Sequence, residues 1–475
     1  MNNSKLIGIL RSFTSKEMRE FEHYLHSSFF NSDEKVIQLF NYLRKGILHS
    51  SALEKKDVLD KSFLSNKLFP GKKYDPKKIP YLLTDLTRHT ENYAINKALE
   101  KDQDLQLILL AKEMAARDCK KAYNNTYDKS TDKAKSSTVK DADFYYYQFL
   151  AEHNHLGYAI AKQQRKEKSN IEVVVENLDK FYLARKLQLC CEIFNVQNVL
   201  SSNYRIFLLE EILSHLREHS YQDTPIIGIY YQILKTLTEP SLEEHFIKLK
   251  KLLLEHEAVL SSSELLEAYQ YAINYCIKKI NLGNINYQKT LFDIYKIQLN
   301  KKVMLVDNSF SQWDFKNMVS ISLRLREHAW ASNFIHEYKK YLTDSERENA
   351  FVYNLSYLHF HKKEYSKSLS LLQKVDFTDI YYQLDTRAIM LKIYYELNDT
   401  DAFFYHVTAF KIFLKRNKVI SDYQRTIYKN LVKFTSKLVR TGSAKRKIIT
   451  LKHEVEQIKQ VADIQWLLQK IEELI

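Results

Sequence analysis

Histidines and acids at helical spacing are the first place to look for chemistry. His215-Leu216-Arg217-Glu218-His219 reads H-x-x-E-H, the inverted zinc-protease order. On a helix, His215 and His219 would share a face one turn apart. Arg217 would set a cation beside the metal, and no third carboxylate ligand stands in a matching helical context. The run passes into Ser220 and Asp223 as a polar helix end does, where the helix dipole alone favours a histidine. A metal-dependent hydrolase at His215/His219 is therefore the least favoured of three readings. The pairs His153/His155 and His359/His361 would converge only on a strand. In helical sequence, residues i and i+2 diverge by about 200°, leaving one packing and one surface histidine in each pair. Adjacent acids such as Glu210/Glu211, Glu243/Glu244 and Glu472/Glu473 read as solvated faces. No nucleophile elbow, calcium loop or Gly-rich phosphate loop is present. No catalytic residue, metal or cofactor is expected.

The strongest feature is a run of cations. Residues 411–447 hold twelve basic side chains against one acid, Asp422. Over 422–440 the spacing predicts a helix. Arg425, Lys429, Lys433, Lys437 and Arg440 share one face, and Ile427, Leu431, Phe434, Leu438 and Val439 fill the other. Lys411, Lys415, Arg416 and Lys418 come before it, and Lys445, Arg446 and Lys447 follow across Gly442. A solvated outer face would normally mix signs. One almost free of acids suits a phosphate backbone or an acidic protein.

The elements that carry these residues are set by composition. The 475 residues include 7 Gly and 5 Pro, where ordinary usage would give roughly 33 and 24. Hairpin and type II turns draw on residues that tolerate positive φ, with Gly the usual supplier. A sandwich, barrel or Rossmann fold is excluded on that ground, and an all-α fold is expected. With 45% hydrophobic and 27% charged residues and a net charge of +14, the chain can bury a large core. No apolar run approaches the 18 or so residues of a membrane span, so no membrane partner is expected. Cys119, Cys190, Cys191 and Cys276 have no metal or redox spacing and read as small apolar fillers in a reducing cytoplasm.

Along the chain, 1–123 reads as a smaller N-terminal helical unit in which Phe13, Met18, Phe21, Tyr24, Leu25, Phe29 and Phe30 pack together. Residues 124–141 read as a polar linker or loop, and Asp75-Pro76 as an N-cap followed by proline at the first helical position. Capping-box spacings at Thr14/Glu17, Ser241/Glu244, Ser261/Glu264 and Thr343/Glu346 mark helix starts. Roughly sixteen to twenty helices joined by short turns are expected along the chain, and from 142 to the C-terminus they would stack as antiparallel hairpins, with 448–474 as a capping helix. Tyrosine runs such as Tyr381-Tyr382 would split between core and surface, and exposed rings would suit an interface.

Between 315 and 415, Val352, Leu355, Ser356 and His359, then Ser368, Leu372 and Val375, alternate large and small residues. Trp330, Tyr365 and Thr400 recur every 35 residues. In these features the chain resembles the tetratricopeptide-repeat family, in degenerate form. Val375 stands where that family prefers Ala, and the closing Pro is missing. The resemblance implies a superhelical α-solenoid and a non-enzymatic scaffold or adaptor that binds a protein or peptide segment. A nucleic-acid-associated protein using 411–447 is the alternative.

Overall fold

The computed structural model describes residues 4–48, 61–71, 73–162, 169–199, 204–219, 221–305, 309–373, 379–442, 444–458 and 460–475. Among them are 23 α-helices and no strand. The fold is all-helical, and its helices pack in neighbouring pairs. The chain divides into two compact units, 1–183 and 184–475.

The first unit holds α1 (Lys5–Ser12), α2 (Ser15–His26), α3 (Glu34–Leu48), α4 (Lys61–Leu68), α5 (Lys78–Lys101), α6 (Gln103–Ala116), α7 (Lys120–Ser136) and α8 (Ala142–Ala161). Thr14 starts α2 with a complete capping box, its hydroxyl accepting from the Glu17 N–H while the Glu17 carboxylate accepts from Thr14. Phe21, Leu25, Leu39, Phe40, Leu64, Ile79 and Leu86 from four of these helices form one buried core. Phe29, expected inside it, is 87% exposed. Its ring lies edge-on to Phe30, which in turn stacks on Tyr24. Helix α5 begins two residues after the expected proline start. The Asp75 carboxylate accepts from the Lys77 N–H and so closes a turn instead of capping a helix at Pro76.

The stretch 124–141, read as linker or loop, is helical as far as Ser136. Aromatic anchoring explains the difference. Tyr127 stacks on His155 of α8 at 3.9 Å, Tyr123 bonds the same imidazole at 3.1 Å, and the Tyr127 hydroxyl donates to Glu152 at 3.0 Å. A polar segment thus becomes a helix because its two tyrosines, one turn apart, find partners.

Helix α9 (Ile171–Val199) carries the division between the units. The second unit continues with α10 (Leu209–Glu218), α11 (Pro225–Thr238), α12 (Glu243–His256), α13 (Ser262–Asn281), α14 (Tyr287–Asn300), α15 (Gln312–Arg324), α16 (His328–Tyr338) and α17 (Asp344–His361). It ends with α18 (Tyr365–Leu372), α19 (Ile380–Glu396), α20 (Thr400–Arg416), α21 (Asp422–Thr441), α22 (Lys445–Ile458) and α23 (Ile464–Glu472). Ser261 caps α13 as expected. Helix α12 starts later than Ser241 implied, with Leu242 at its N-cap and no side-chain cap bond. At Thr343 the hydroxyl meets the Glu346 carboxylate at 2.9 Å instead of a backbone N–H.

The turns repeat. Asp118, Lys302, Arg326, Lys363 and Asn398 all lie at φ between 54° and 62°. In each case the following N–H reaches back five residues, as Glu327 to Ser322 and Glu364 to His359, both at 2.9 Å. This is the Schellman ending of a helix. Left-handed turns are therefore present in a glycine-poor chain. They are made by Asp, Lys, Arg and Asn at a cost of about 1 kcal/mol for each residue with a Cβ, against two backbone hydrogen bonds that close the helix. Of the residues at the 35-residue spacing, Tyr365 and Thr400 open α18 and α20, and Trp330 lies in the first turn of α16. Ser356 and Ser368 are fully buried, and the Ser368 hydroxyl donates to the Ser356 carbonyl at 2.8 Å, so α17 and α18 approach closely where both side chains are small. Val375 lies outside the described residues.

The expected capping helix 448–474 is two helices, α22 and α23. Between them the Ala462 N–H donates to the Ile427 carbonyl at 3.1 Å, and Asp463 takes a left-handed conformation with φ 50°. This bond, with the Lys392–Asp463 ion pair, holds the connection against α21 and α19. Cys190, Cys191 and Cys276 are buried as expected, but Cys119 is exposed, and all four are free thiols. No described helix is long and apolar enough to cross a membrane.

Candidate binding cavity and basic surface

Alternate helices of the second unit turn one row of side chains toward a common hollow. Helix α15 contributes Lys316, Ser320 and Arg324, each one turn from the next. Helix α17 contributes Tyr353 and Tyr357, α19 contributes Asp385, Ala388, Ile389 and Lys392, and α21 contributes Tyr428 and Leu431. Ala462 and Asp463 complete the wall. Residues at spacings of three and four lie on one helix face, so each helix supplies a strip of its surface. The cavity measures about 240 Å³.

One end is neutralised. Lys316 pairs with Asp385, which also accepts from the Tyr428 hydroxyl. The Lys316 ammonium lies 5.2–5.6 Å from the ring centres of Trp313, Tyr353 and Tyr382, a cation–π cage that compensates for lost water. Burial, reinforced by Asp385, pushes the Tyr353 and Tyr428 phenols well above their ordinary range, and both stay protonated.

The other end carries Lys392, whose residue is 3% exposed, paired with Asp463 at 2.5 Å. Burial would lower the Lys392 pKa, yet Asp463 more than offsets it, and the ammonium is held above its ordinary value. Burial would raise Asp463, and Lys392 brings it below the carboxylate range. Both partners are therefore charged, while Asp463 keeps 36% of its side chain accessible. Next to this pair, burial followed by repulsion from Lys392 brings the His361 imidazole down to about 4, so it is neutral at neutral pH. Arg324 acts on Asp463, Tyr357 and His361 through its charge but makes no hydrogen bond or ion pair among the described residues.

The basic run lies in the same unit. Ten of the twelve cations, Lys411, Lys415, Arg416, Lys418, Lys429, Lys433, Arg440, Lys445, Arg446 and Lys447, are exposed. Arg425 and Lys437 are half-buried and committed within the protein. Arg425 donates to the Leu414, Asn417 and Ile420 carbonyls, closing the end of α20, and Lys437 pairs with Glu454 of α22 at 2.6 Å. The guanidinium of Arg440 lies 5.2 Å from the Phe404 ring. Helices α20 and α21 are thus antiparallel neighbours, with Arg425 and Arg440 at opposite ends of the pair. Tyr405 and Tyr423 stand exposed on these helices at 82% and 64%.

The histidine motif has no metal geometry. His215 and His219 stack with ring centres 4.4 Å apart, His215 Nε2 meets the Tyr221 hydroxyl at 2.8 Å, and His219 Nδ1 meets the His215 carbonyl. Among the described residues, no group of three His, Cys, Asp or Glu side chains could hold a metal ion.

The basic run was visible to sequence reading, and the cavity was not. Its signal was the helical spacing of three and four at 316/320/324, 353/357 and 385/389/392. Those rows mix Lys, Tyr, Asp, Ser and Ile, so no single residue type draws the eye. Comparison of the chain with protein-family models, curated proteins and solved structures finds no significant match to any of them.

Proposed function

We propose that the chain is a non-enzymatic cytoplasmic scaffold whose second unit is a tetratricopeptide-like stack that binds a protein or peptide segment. One observation carries the reading. Helices α15, α17, α19 and α21 line a single cavity, whereas α16, α18 and α20 contribute nothing to it. Stacked helical hairpins present every second helix on one face, and such faces are where repeat proteins bind. The recurring Schellman turns at Arg326, Lys363 and Asn398 support the same register. The partner would be a segment able to place side chains among phenols and charges, with Tyr353 and Tyr357 as amphipathic contacts.

The test is photo-crosslinking. A photoreactive side chain at Ala388, in the cavity wall, should capture a discrete protein from native extract, and one at Lys289 on α14 should not. Capture at both positions alike, or at neither, rejects the reading.

A second reading is favoured by the ten exposed cations: nucleic acid bound along α20–α22, with Tyr405 and Tyr423 available for stacking. Bound through Lys429, Lys433 and Arg440 together with two neighbours, its log affinity would fall with log salt at a slope of about −4 to −5. Salt-independent binding, or none, rejects it.

A further inference from the structure

We propose that Arg324, Ser320 and Tyr357 form a binding site for a phosphate group, free or esterified on a small molecule or side chain. The balance of charge in the cavity leads there. Lys316 is answered by Asp385 and Lys392 by Asp463. Among the described residues, Arg324 is left as the one lining charge without a countercharge at ion-pair distance. Its guanidinium offers a planar fork of donors that matches an oxyanion in bidentate fashion.

Two more donors stand on the same stretch of wall. Ser320 is one turn before Arg324 on α15, so their side chains share a face. Tyr357, on α17, is close enough for the Arg324 charge to act on its phenol. Neither hydroxyl has a hydrogen-bond partner among the described residues, and both line the cavity. Burial keeps the Tyr357 phenol protonated and so able to donate. His361 beside it is neutral at neutral pH, so the positive charge of the site is that of Arg324.

A carboxylate presents two oxygens in one plane, which a guanidinium fork alone satisfies. A phosphate presents three terminal oxygens in a tetrahedron, enough for the fork and for a hydroxyl from each of two helices. The cavity, at about 240 Å³, admits phosphate with room for the group that carries it. This site stands whether or not a protein segment occupies the rest of the face.

Isothermal titration of the full chain with inorganic phosphate, O-phosphoserine and acetate tests it. One equivalent of phosphate should bind saturably. Arg324→Gln should weaken it at least about tenfold, the loss of a charge-assisted pair of bonds, and Tyr357→Phe by about three- to tenfold, the loss of one. Neither should change the melting temperature appreciably, because neither side chain is bonded within the protein. Lys289→Gln on α14, outside both the cavity lining and the basic run, should leave the affinity as it was. O-phosphoserine tighter than phosphate identifies an esterified ligand, and equal affinity a free one; either supports the site. The absence of one-equivalent binding overturns it, as does an Arg324→Gln variant that binds like wild type. Acetate that binds as tightly as phosphate, or an equal loss in Lys289→Gln, overturns it too.

Discussion

The second unit uses the same basic residues in two opposite ways. Around the cavity, Lys316 and Lys392 are withdrawn from water, each matched by one carboxylate and ringed by aromatic side chains. On α20–α22, Lys429, Lys433 and Arg440 are exposed and, among the described residues, have no carboxylate at ion-pair distance. A buried ammonium without its partner is expensive, whereas an exposed one costs almost nothing. The first set is therefore fixed in place by folding, and only the second is free to answer to an outside charge. Sequence density of Lys and Arg reports the second kind and is silent on the first.

The sharpest way to break this contrast is to remove one buried carboxylate. Asp463→Ala leaves the Lys392 ammonium buried and alone, and should destabilise the second unit by about 3 kcal/mol. Urea unfolding measures it. Lys392→Met combined with Asp463→Ala should recover most of the loss, since an apolar side chain of similar length tolerates the same site. If the single and double variants unfold alike, the pair is not what holds the α22–α23 connection to α19.

Acid should act on the same end of the cavity. The His361 pKa falls from its ordinary 6.5 to about 4 on folding, so between those values the unfolded chain binds the proton that the folded chain refuses. Stability is therefore intact above pH 6.5 and declines as pH drops toward 4. Allowing for partial exposure, the loss is about 2 kcal/mol. Asp463, held below the carboxylate range, adds its own loss only below about pH 4. A His361→Gln variant should flatten the upper window and leave the lower one. A slope unchanged by that substitution would place the proton uptake elsewhere.

Within the basic run itself the two behaviours meet. Arg425 caps three carbonyls, so Arg425→Ala should cost about 1.5 kcal/mol, in the range for hydrogen bonds to a charged group. Lys433→Ala, four helical positions beyond Lys429 on the exposed face, should change stability by less than about 0.5 kcal/mol. The periodicity put both residues on one stripe. Thermal unfolding of the two variants separates a cation used by the fold from one left to solvent.

That split marks where sequence reading stops. The helical class followed from composition, and helices such as α13 and α21 from apolar spacing, because both depend on local pattern. Thr14 and Ser261 were legible as caps for the same reason. The helix over 124–136 was not, since Tyr123 and Tyr127 gain partners only when α8 is folded against them. Nor was the break at Asp463, which depends on Lys392 some seventy residues earlier. The cavity belongs to the same class. Lys316, Tyr353, Asp385 and Tyr428 meet because alternate helices face the same way, and that is a property of packing, which the spacing within any one segment does not announce.

The helices that line the cavity end in left-handed turns, and a small stabilising effect tests that frame. Lys363, at φ 60°, carries a Cβ where glycine would carry none, and its side chain is exposed. Lys363→Gly should therefore stabilise the protein by about 1 kcal/mol, the left-handed penalty relieved. Glycine's greater freedom in the unfolded chain trims that gain. Arg326→Gly should behave similarly. Asn398→Gly should gain less than half as much, because asparagine already tolerates the conformation. The ordering Lys363 and Arg326 above Asn398, read from urea midpoints at constant slope, is the signature of backbone strain. A uniform response would mean the three turns differ by their surroundings and not by the residue at the left-handed position. In either case phosphate binding at Arg324 should be unmoved by Lys363→Gly, since that turn follows the C-terminal end of α17 and contributes no donor to the cavity.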